Sequence, residues 1–364
     1  MKVVFISPAF YPSIGGVETH VLSLSRELTR LGHSVTVLTE DKLENQQSND
    51  DGDNEATRLK SIDESRFFTH KKLYQIDIFY FKFGQHNFFK KFKIWYILLK
   101  NYKLFKDADV IHAHDVFIWY FPLRFVLFNK RIFTTFHGYE GVFPPAEKAK
   151  QIRQWSKALS YGTINAGAFI EKWYGTKSDY VTYGGVKQIE TQDSNADEKE
   201  KAKVSKLKIL FIGRLEKDIG VQLYLDTLSK LKKMGVKFSL TVCGDGSFRS
   251  AFEQYKGDFG FVTNVSAYIK KADIVFSSSY LSMLQALACG KPIFAAYTNP
   301  LKHDYLRMSP FEKYIYVSGH SSDLAKKIAR QQFDKKKIES GRRWANTQTW
   351  EKVAEMYLEL WNKK

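Results

Sequence analysis

The stretch Ser277–Pro292 sets three consecutive serines at the end of an apolar run, Ile274–Phe276, and follows them with LSMLQALACGKP. Serine just before a helix can satisfy its first N–H groups, and the positive end of the helix dipole then faces whatever lies beyond the strand. Strand, serine turn and helix make an anion site, closed by Gly290 as the left-handed residue on which the helix ends. Gln285, on this helix, can accept from one hydroxyl and donate to another. His112 and His114 occupy alternate positions of VIHAH, so on a strand both point to one side. A metal site would need a third ligand, and none is visible in the pattern. Cys243 and Cys289 are the only cysteines. That count excludes a disulfide framework and reads as two reduced, buried thiols.

These groups need elements to hold them. Lys2–Ser7 is a short buried strand, Ser13-Ile14-Gly15-Gly16 a tight loop, and Val17, Val21, Leu24, Leu28 and Leu31 recur at helical spacing before the strand Ser34–Thr39. Strand, glycine loop, helix and strand form a βαβ unit and hence a parallel sheet. The loop lacks the GxGxxG dinucleotide fingerprint. Glu40–Glu64 is polar and acidic and reads as a mobile surface excursion. Asp109–His114, Arg131–His137 and Tyr180–Gly185 read as further strands, and Lys187–Lys206 as a charged linker. The alternation then restarts with strand Leu207–Ile212, loop Gly213–Gly220 and helix Val221–Met234. Strand Phe238–Cys243 follows, ending in Gly244-Asp245-Gly246, then Ile274–Phe276 and Pro292–Ala296, and Trp350–Trp361 is an amphipathic terminal helix. Two doubly wound α/β domains facing one another across a cleft are the architecture this order predicts. Residues 1–186 make the first domain, 187–206 the linker, 207–340 the second domain, and 341–364 a helical segment returning to the first.

The chain of 364 residues carries a formal net charge of +17, which points to an anionic partner. Lys71–Lys106 concentrates it, with nine lysines, one acid (Asp77) and twelve aromatic residues. Phe88, Phe92, Trp95, Leu99 and Tyr102 fall on one face of a helix, with Lys93 and Lys100 roughly opposite. Such a helix either lies in a membrane interface or packs its aromatic face on the sheet with its lysines in solvent. The membrane reading gives Phe88, Lys90, Lys91, Phe92, Lys93 and Trp95 as contacts with anionic lipid. No nucleic-acid motif accompanies the charge, so no nucleic-acid partner is expected. No apolar run reaches the ~18–20 residues of a membrane span. The opening MKVVFIS enters a strand directly, and the expected location is the cytoplasm, peripheral at the inner face of the membrane.

Seven segments in this order resemble glycosyltransferase family 4: PSIGGVETHVLSLSRELTRLGHSVTVLT, DVIHAHD, TTFHG, ILFIGRL, VCGDG, ALACGKP and TWEKVAEMYLEL. The resemblance covers nearly the whole chain. It implies the GT-B fold, two facing Rossmann-like domains with parallel sheets and a nucleotide-sugar cleft between them. It implies transfer of a hexose-type sugar from a UDP- or GDP-type nucleotide sugar to an acceptor hydroxyl, with retention and with no bound metal or other cofactor. A departing diphosphate gains charge, so fixed cations and helix N-termini must take the metal's place.

By the same resemblance, Gly15 and Gly16 form the glycine loop whose bare backbone approaches donor phosphate and acceptor. Arg214 pairs with the donor phosphate, for which a planar bidentate cation is suited. His137, at a strand end, contacts the donor sugar, and with Arg214 it is the expected catalytic pair. Gly244 belongs to the donor-binding set. The family lysine falls at Ile219; Lys217 reaches the phosphate instead, or is a solvated loop lysine. Of the family's two glutamates, the second falls at Gln285 and the first at Ser277 or in a gap, so no carboxylate meets the donor. The backbone N–H groups of Ser279, Tyr280 and Leu281 are the expected substitutes. The expected function is glycosyl transfer to a lipid-linked or glycan acceptor at the cytoplasmic membrane face. The alternative is a non-catalytic sugar-nucleotide or glycan-binding subunit of a glycan-assembly complex.

Overall fold

The computed structural model describes residues 1–13, 15–41, 60–84, 89–138, 141–187, 206–259, 262 and 264–363. Two compact units account for them: Met1–Glu140, Pro144–Thr182 and Trp350–Lys364 form the first, Gly141–Phe143 and Tyr183–Thr349 the second. The division at 349/350 differs from the boundary expected at 340/341. The segment is two helices, and the earlier one, Lys335–Asn346, sets its Gly341 against Leu287 and Tyr314 of the second unit. The linker expected at Lys187–Lys206 lies almost wholly outside the described residues.

Among the described residues the first unit holds a nine-stranded sheet. Its strands are β1 (Lys2–Ser7), β2 (Ser34–Glu40), β3 (Lys60–Glu64), β4 (Phe68–Leu73), β5 (Ile76–Phe81), β6 (Val110–His114), β7 (Ile132–Phe136), β8 (Gly162–Asn165) and β9 (Tyr180–Val181). They lie in the order β3-β4-β5-β2-β1-β6-β7-β8-β9, with β3–β4 and β4–β5 antiparallel and the other pairs parallel. Strands β1, β6 and β7 are buried almost throughout because helices cover both faces, hence their near-continuous apolar reading. Alternation decides which face each β6 side chain joins. Ile111 and Ala113 enter the core under helices Lys90–Lys100 and Phe117–Val126. His112 and His114 pack on the other side, against Phe5 and the helix Trp350–Asn362.

The meander β3–β5 occupies sequence read as surface excursion and as basic helix. Strand β4 carries Lys, Thr and His on half-exposed faces, and its pairing with the edge strand β3 shifts register between Ser61 and Asp63, so neither shows an apolar run. Strand β5 does, burying Ile76, Ile78, Tyr80 and Phe81 inside the aromatic stretch read as helix. Residues 42–59 lie outside the described residues. The basic helix is also shorter than its pattern suggested: it stops at Lys100, where the Asn101 side chain donates to the Ile97 carbonyl at 2.8 Å. It buries Ile94, Ile97 and Leu98, leaving Phe92 and Tyr96 exposed. The aliphatic face won the core because it meets the helix Phe117–Val126, whose own residues are bulky aromatics.

The second unit has a parallel sheet of β10 (Leu207–Ile212), β11 (Phe238–Gly244), β12 (Lys256–Phe259), β13 (Ile274–Phe276), β14 (Ile293–Ala296) and β15 (Tyr316–Ser318), ordered β12-β11-β10-β13-β14-β15. From β10 the chain winds outward to β11 and β12, then returns to β13 on the other side. Strand order therefore reverses between β10 and β13. A crevice at the carboxyl ends of those two strands is where doubly wound sheets take ligands.

Candidate active site

Arg214 follows β10 at that reversal. Its guanidinium is half exposed (52%) and donates to the Asp218 carboxylate at 2.8 Å. The loop carrying it is laced to the end of β11: Gly213 N–H donates to Cys243 O at 3.1 Å and Leu215 N–H to Asp245 O at 2.7 Å. This approach explains Gly244, because a Cβ there would sit 1.9 Å from the Gly213 carbonyl oxygen. Gly244 thus has a packing reason of its own, beside the donor role the sequence suggested.

Lys217 is exposed in the short turn Lys217–Ile219, and Ile219 points into the core. A cation that sequence reasoning missed stands nearby. Lys302 is only 5% exposed, its ammonium 4.6 Å from the Tyr305 ring centroid. Burial pushes its pKa down to about 8; Asp218 opposes that shift and Arg214 adds to it, so the three charges share one neighbourhood. The only sequence cue was a lysine in the first turn after Asn-Pro, which reads as solvent-facing.

The helix Tyr280–Ala288 starts after Ser279 with no side-chain cap, contrary to expectation. Its serines are drawn inward instead: Ser278 Oγ donates to Ala296 O at 2.9 Å and lies 2.7 Å from the Tyr224 hydroxyl. Two of the three N–H groups expected to meet a donor are engaged, that of Ser279 with Ser277 Oγ at 3.4 Å and that of Tyr280 with the Tyr305 hydroxyl at 3.1 Å. Tyr280 and Tyr305 stack at 3.9 Å and 5°. The Leu281 N–H has no partner among the described residues, nor has the amide of Gln285. Leu281, Gln285 and Cys289 form the partly exposed stripe of this helix, and Gly290 ends it with φ +66°.

In the first unit, a Cβ on Gly15 would meet the Glu18 carboxylate at 2.4 Å, whereas one on Gly16 meets nothing within 4 Å. The expected histidines gather there with a fourth, His20, which the helical spacing had hidden as a routine inward residue. His114 Nδ1 lies 2.8 Å from His137 Nε2, and His20 stands edge-on to His137 at 4.9 Å. Trp361 Nε1 donates to His112 Nδ1 at 3.0 Å. Indole N–H only donates, so His112 carries its proton on Nε2 and gives it to Thr135 Oγ1 at 2.8 Å. From Thr135 the chain passes to the Tyr357 hydroxyl (2.8 Å) and on to His20 Nε2 (3.0 Å). Burial pushes all four imidazoles below their usual pKa, His137 to about 3, with Arg153 adding to the fall at His137. They are neutral. Among the described residues no three metal-ligating side chains are placed to hold a metal ion, these histidines included.

Comparison with known proteins fits this architecture. The model for Glycosyltransferase Family 4 matches residues 14–170, and that for Glycosyl transferases group 1 matches residues 206–331. An uncharacterized glycosyltransferase of Methanocaldococcus jannaschii is 32% identical over 149 residues, 35% of this chain and 37% of that protein. The chain therefore spans little more than a third of that curated relative. Among solved structures, the catalytic domain of starch synthase IV from Arabidopsis thaliana, bound to ADP and acarbose, aligns with TM-score 0.67 at 16% identity over 99% of this chain and 98% of that one. Sucrose-phosphate synthase from Thermosynechococcus elongatus aligns with TM-score 0.68 at 16% identity over the same shares, 99% and 98%. The likeness to these structures shows the GT-B fold. The two glycosyltransferase models match successive stretches of the chain, one largely in each unit.

Proposed function

We propose that this chain is a retaining, metal-independent hexosyltransferase using a UDP- or GDP-type nucleotide sugar and a lipid-linked or glycan acceptor at the cytoplasmic membrane face. The observation that carries the reading is Arg214 at the strand-order reversal, with the buried Lys302 beside it. As the bond from the anomeric carbon to the diphosphate oxygen breaks, negative charge grows on the diphosphate, and two fixed cations stabilise it without reorganising. Lys302 takes the part expected of Lys217, since the buried ammonium is held in place while the exposed one is solvated. Ribose hydroxyls meet Gln285, Leu281 supplies its N–H, and the open space at Gly16 leaves room for a phosphate or acceptor against bare backbone. His137 serves the sugar.

Incubation with a panel of nucleotide sugars and a membrane lipid extract should release nucleoside diphosphate only when both donor and acceptor are present. No donor consumed with any acceptor would overturn the transferase reading. Uncharged residues at Ser277 and Gln285 favour the second reading, a non-catalytic binding subunit. On that reading Gln285→Glu tightens nucleotide binding without turnover before or after the change.

The membrane part rests on a surface that the structure redraws. Phe88 lies outside the described residues, Lys90 pairs with Glu40, and Trp95 turns inward to donate to Ile118 O at 2.7 Å. Phe89, Phe92 and Tyr96 are exposed, with Lys91 and Lys100 over the rings of Phe92 and Tyr96. A row of ring contacts Phe92–Trp95–Phe121–Phe125 joins them to exposed Phe125 (63%), Val126 (56%) and Phe128 (73%) at the end of the neighbouring helix. Among the described residues no helix is long and apolar enough to cross a membrane. Vesicles with anionic lipid should float the protein at low salt and release it at high salt. Reversing Lys91 and Lys100 together should weaken binding by well over ~10-fold, at about 1 kcal/mol for each charge removed. Flotation indifferent to lipid charge would sink this part alone.

A further inference from the structure

The least satisfied atom of the histidine group is His114 Nε2, fully buried and without a hydrogen-bond partner among the described residues. A neutral imidazole has one proton and two places for it. On Nε2 it would leave a buried N–H unpaired, at about 1–3 kcal/mol. On Nδ1 it leaves only an unused lone pair, the lesser penalty. The proton therefore sits on Nδ1 and is given to His137 Nε2 across the 2.8 Å contact. His137, neutral in turn, must carry its own proton on Nδ1. That nitrogen has no partner among the described residues, and His137 is the one imidazole of the four that is not fully enclosed.

We propose that His114 is a positioning residue: it locks the tautomer of His137, which then presents Nδ1–H as a hydrogen-bond donor to an oxygen of the transferred sugar and cannot serve as a base through Nε2. This rests on the proposed function, in which His137 meets the donor sugar. The surroundings hold both rings. His114 packs edge-on to Phe5 at 5.1 Å and stacks on His112, itself clamped between Trp361 and Thr135. The His137 backbone N–H donates to Asp115 at 2.8 Å, and Arg153, 3.8 Å from that carboxylate, donates to Gly138 O. A neutral donor also suits the chemistry. Positive charge builds on the sugar as the glycosidic bond breaks, and an imidazolium beside it would oppose the reaction.

Long-range proton–nitrogen NMR on the full, uniformly nitrogen-15-labelled chain reads the tautomer directly, with His137→Asn assigning the ring. A protonated Nδ1 and a bare Nε2 at His137 are expected; the reverse overturns the proposal. His114→Asn keeps an N–H near the old Nδ1 and should keep that pattern. His114→Leu should release His137 into mixed tautomers and lower kcat/KM by about 10- to 100-fold, as losses of histidine-orienting partners do. Should His114→Leu fail to fold, a second pair decides: the His137→Asn amide replaces Nδ1–H and the His137→Gln amide replaces Nε2–H. Asn should then bind nucleotide sugar better than Gln, and Gln binding better overturns the proposal. If the tautomer is as stated but no nucleotide sugar is turned over, the transferase reading falls and the positioning of His137 by His114 stands.

Discussion

Replacing Arg214 with alanine should lower kcat/KM for the nucleotide sugar by at least about 10²-fold, some ~2.7 kcal/mol of transition-state stabilisation. Two features set that size. The guanidinium is fixed before any ligand arrives, by its ion pair with Asp218 and by a loop stitched to the end of β11. It also faces a leaving group whose charge rises during the reaction, so the loss falls on kcat as well as on KM. Asp218 and Lys302 would remain as a neutral pair, and the crevice would lose the net positive charge that draws a diphosphate. Titration with nucleoside diphosphate against the bare nucleoside separates charge from packing: affinity for the first should collapse and for the second should hold. Equal diphosphate binding by Arg214→Ala and the unaltered protein would remove Arg214 from the mechanism.

The second large effect is acid sensitivity of the first unit. His20, His112, His114 and His137 are held neutral by burial, with folded pKa values below the ordinary 6.5 and that of His137 at about 3. Below pH 6.5 the unfolded chain binds protons that the folded one refuses, so stability falls as pH falls. The loss begins near pH 6.5 and continues down toward the folded values. Each histidine contributes up to about 1.4 kcal/mol per pH unit, and four together up to about 6 kcal/mol at pH 5.5, as an upper bound. Denaturant midpoints and hydrogen exchange in β6 and β7 at pH 7.5, 6.5 and 5.5 measure it. Flat stability across that range would mean the imidazoles are not sealed from protons as the packing requires.

The chain's order of elements was legible because buried parallel strands advertise themselves. β1, β2, β6, β7, β10, β11, β13 and β14 are runs of Val, Ile, Leu and Phe bounded by glycine or polar turns, and helices on both faces leave no other solution. Strands β3 and β4, the short β12 and β15, and the helices Pro300–Arg307 and Ser321–Ala329 were not read, being half-exposed or too short for their period to show, and the buried β5 was taken into the basic aromatic stretch read as helix.

Sequence by itself determined the α/β alternation, the resemblance to glycosyltransferase family 4, and the positions of Arg214, His137 and Gln285, because each follows a buried strand or rides a helix whose register is set by its apolar residues. Only the tertiary structure decided what those groups touch. Ser278, predicted with its neighbours to cap the helix Tyr280–Ala288, turns to Tyr224 and Ala296, since a buried hydroxyl takes the nearest partner in space, not its neighbour in the chain. Lys302 joins Arg214 from a helix almost 90 residues later in the chain, and His20 joins Thr135 through Tyr357, a residue near the C-terminus. Such contacts depend on where strands return to the sheet and which face each side chain takes. Local spacing sets the face, and long-range packing chooses the partner.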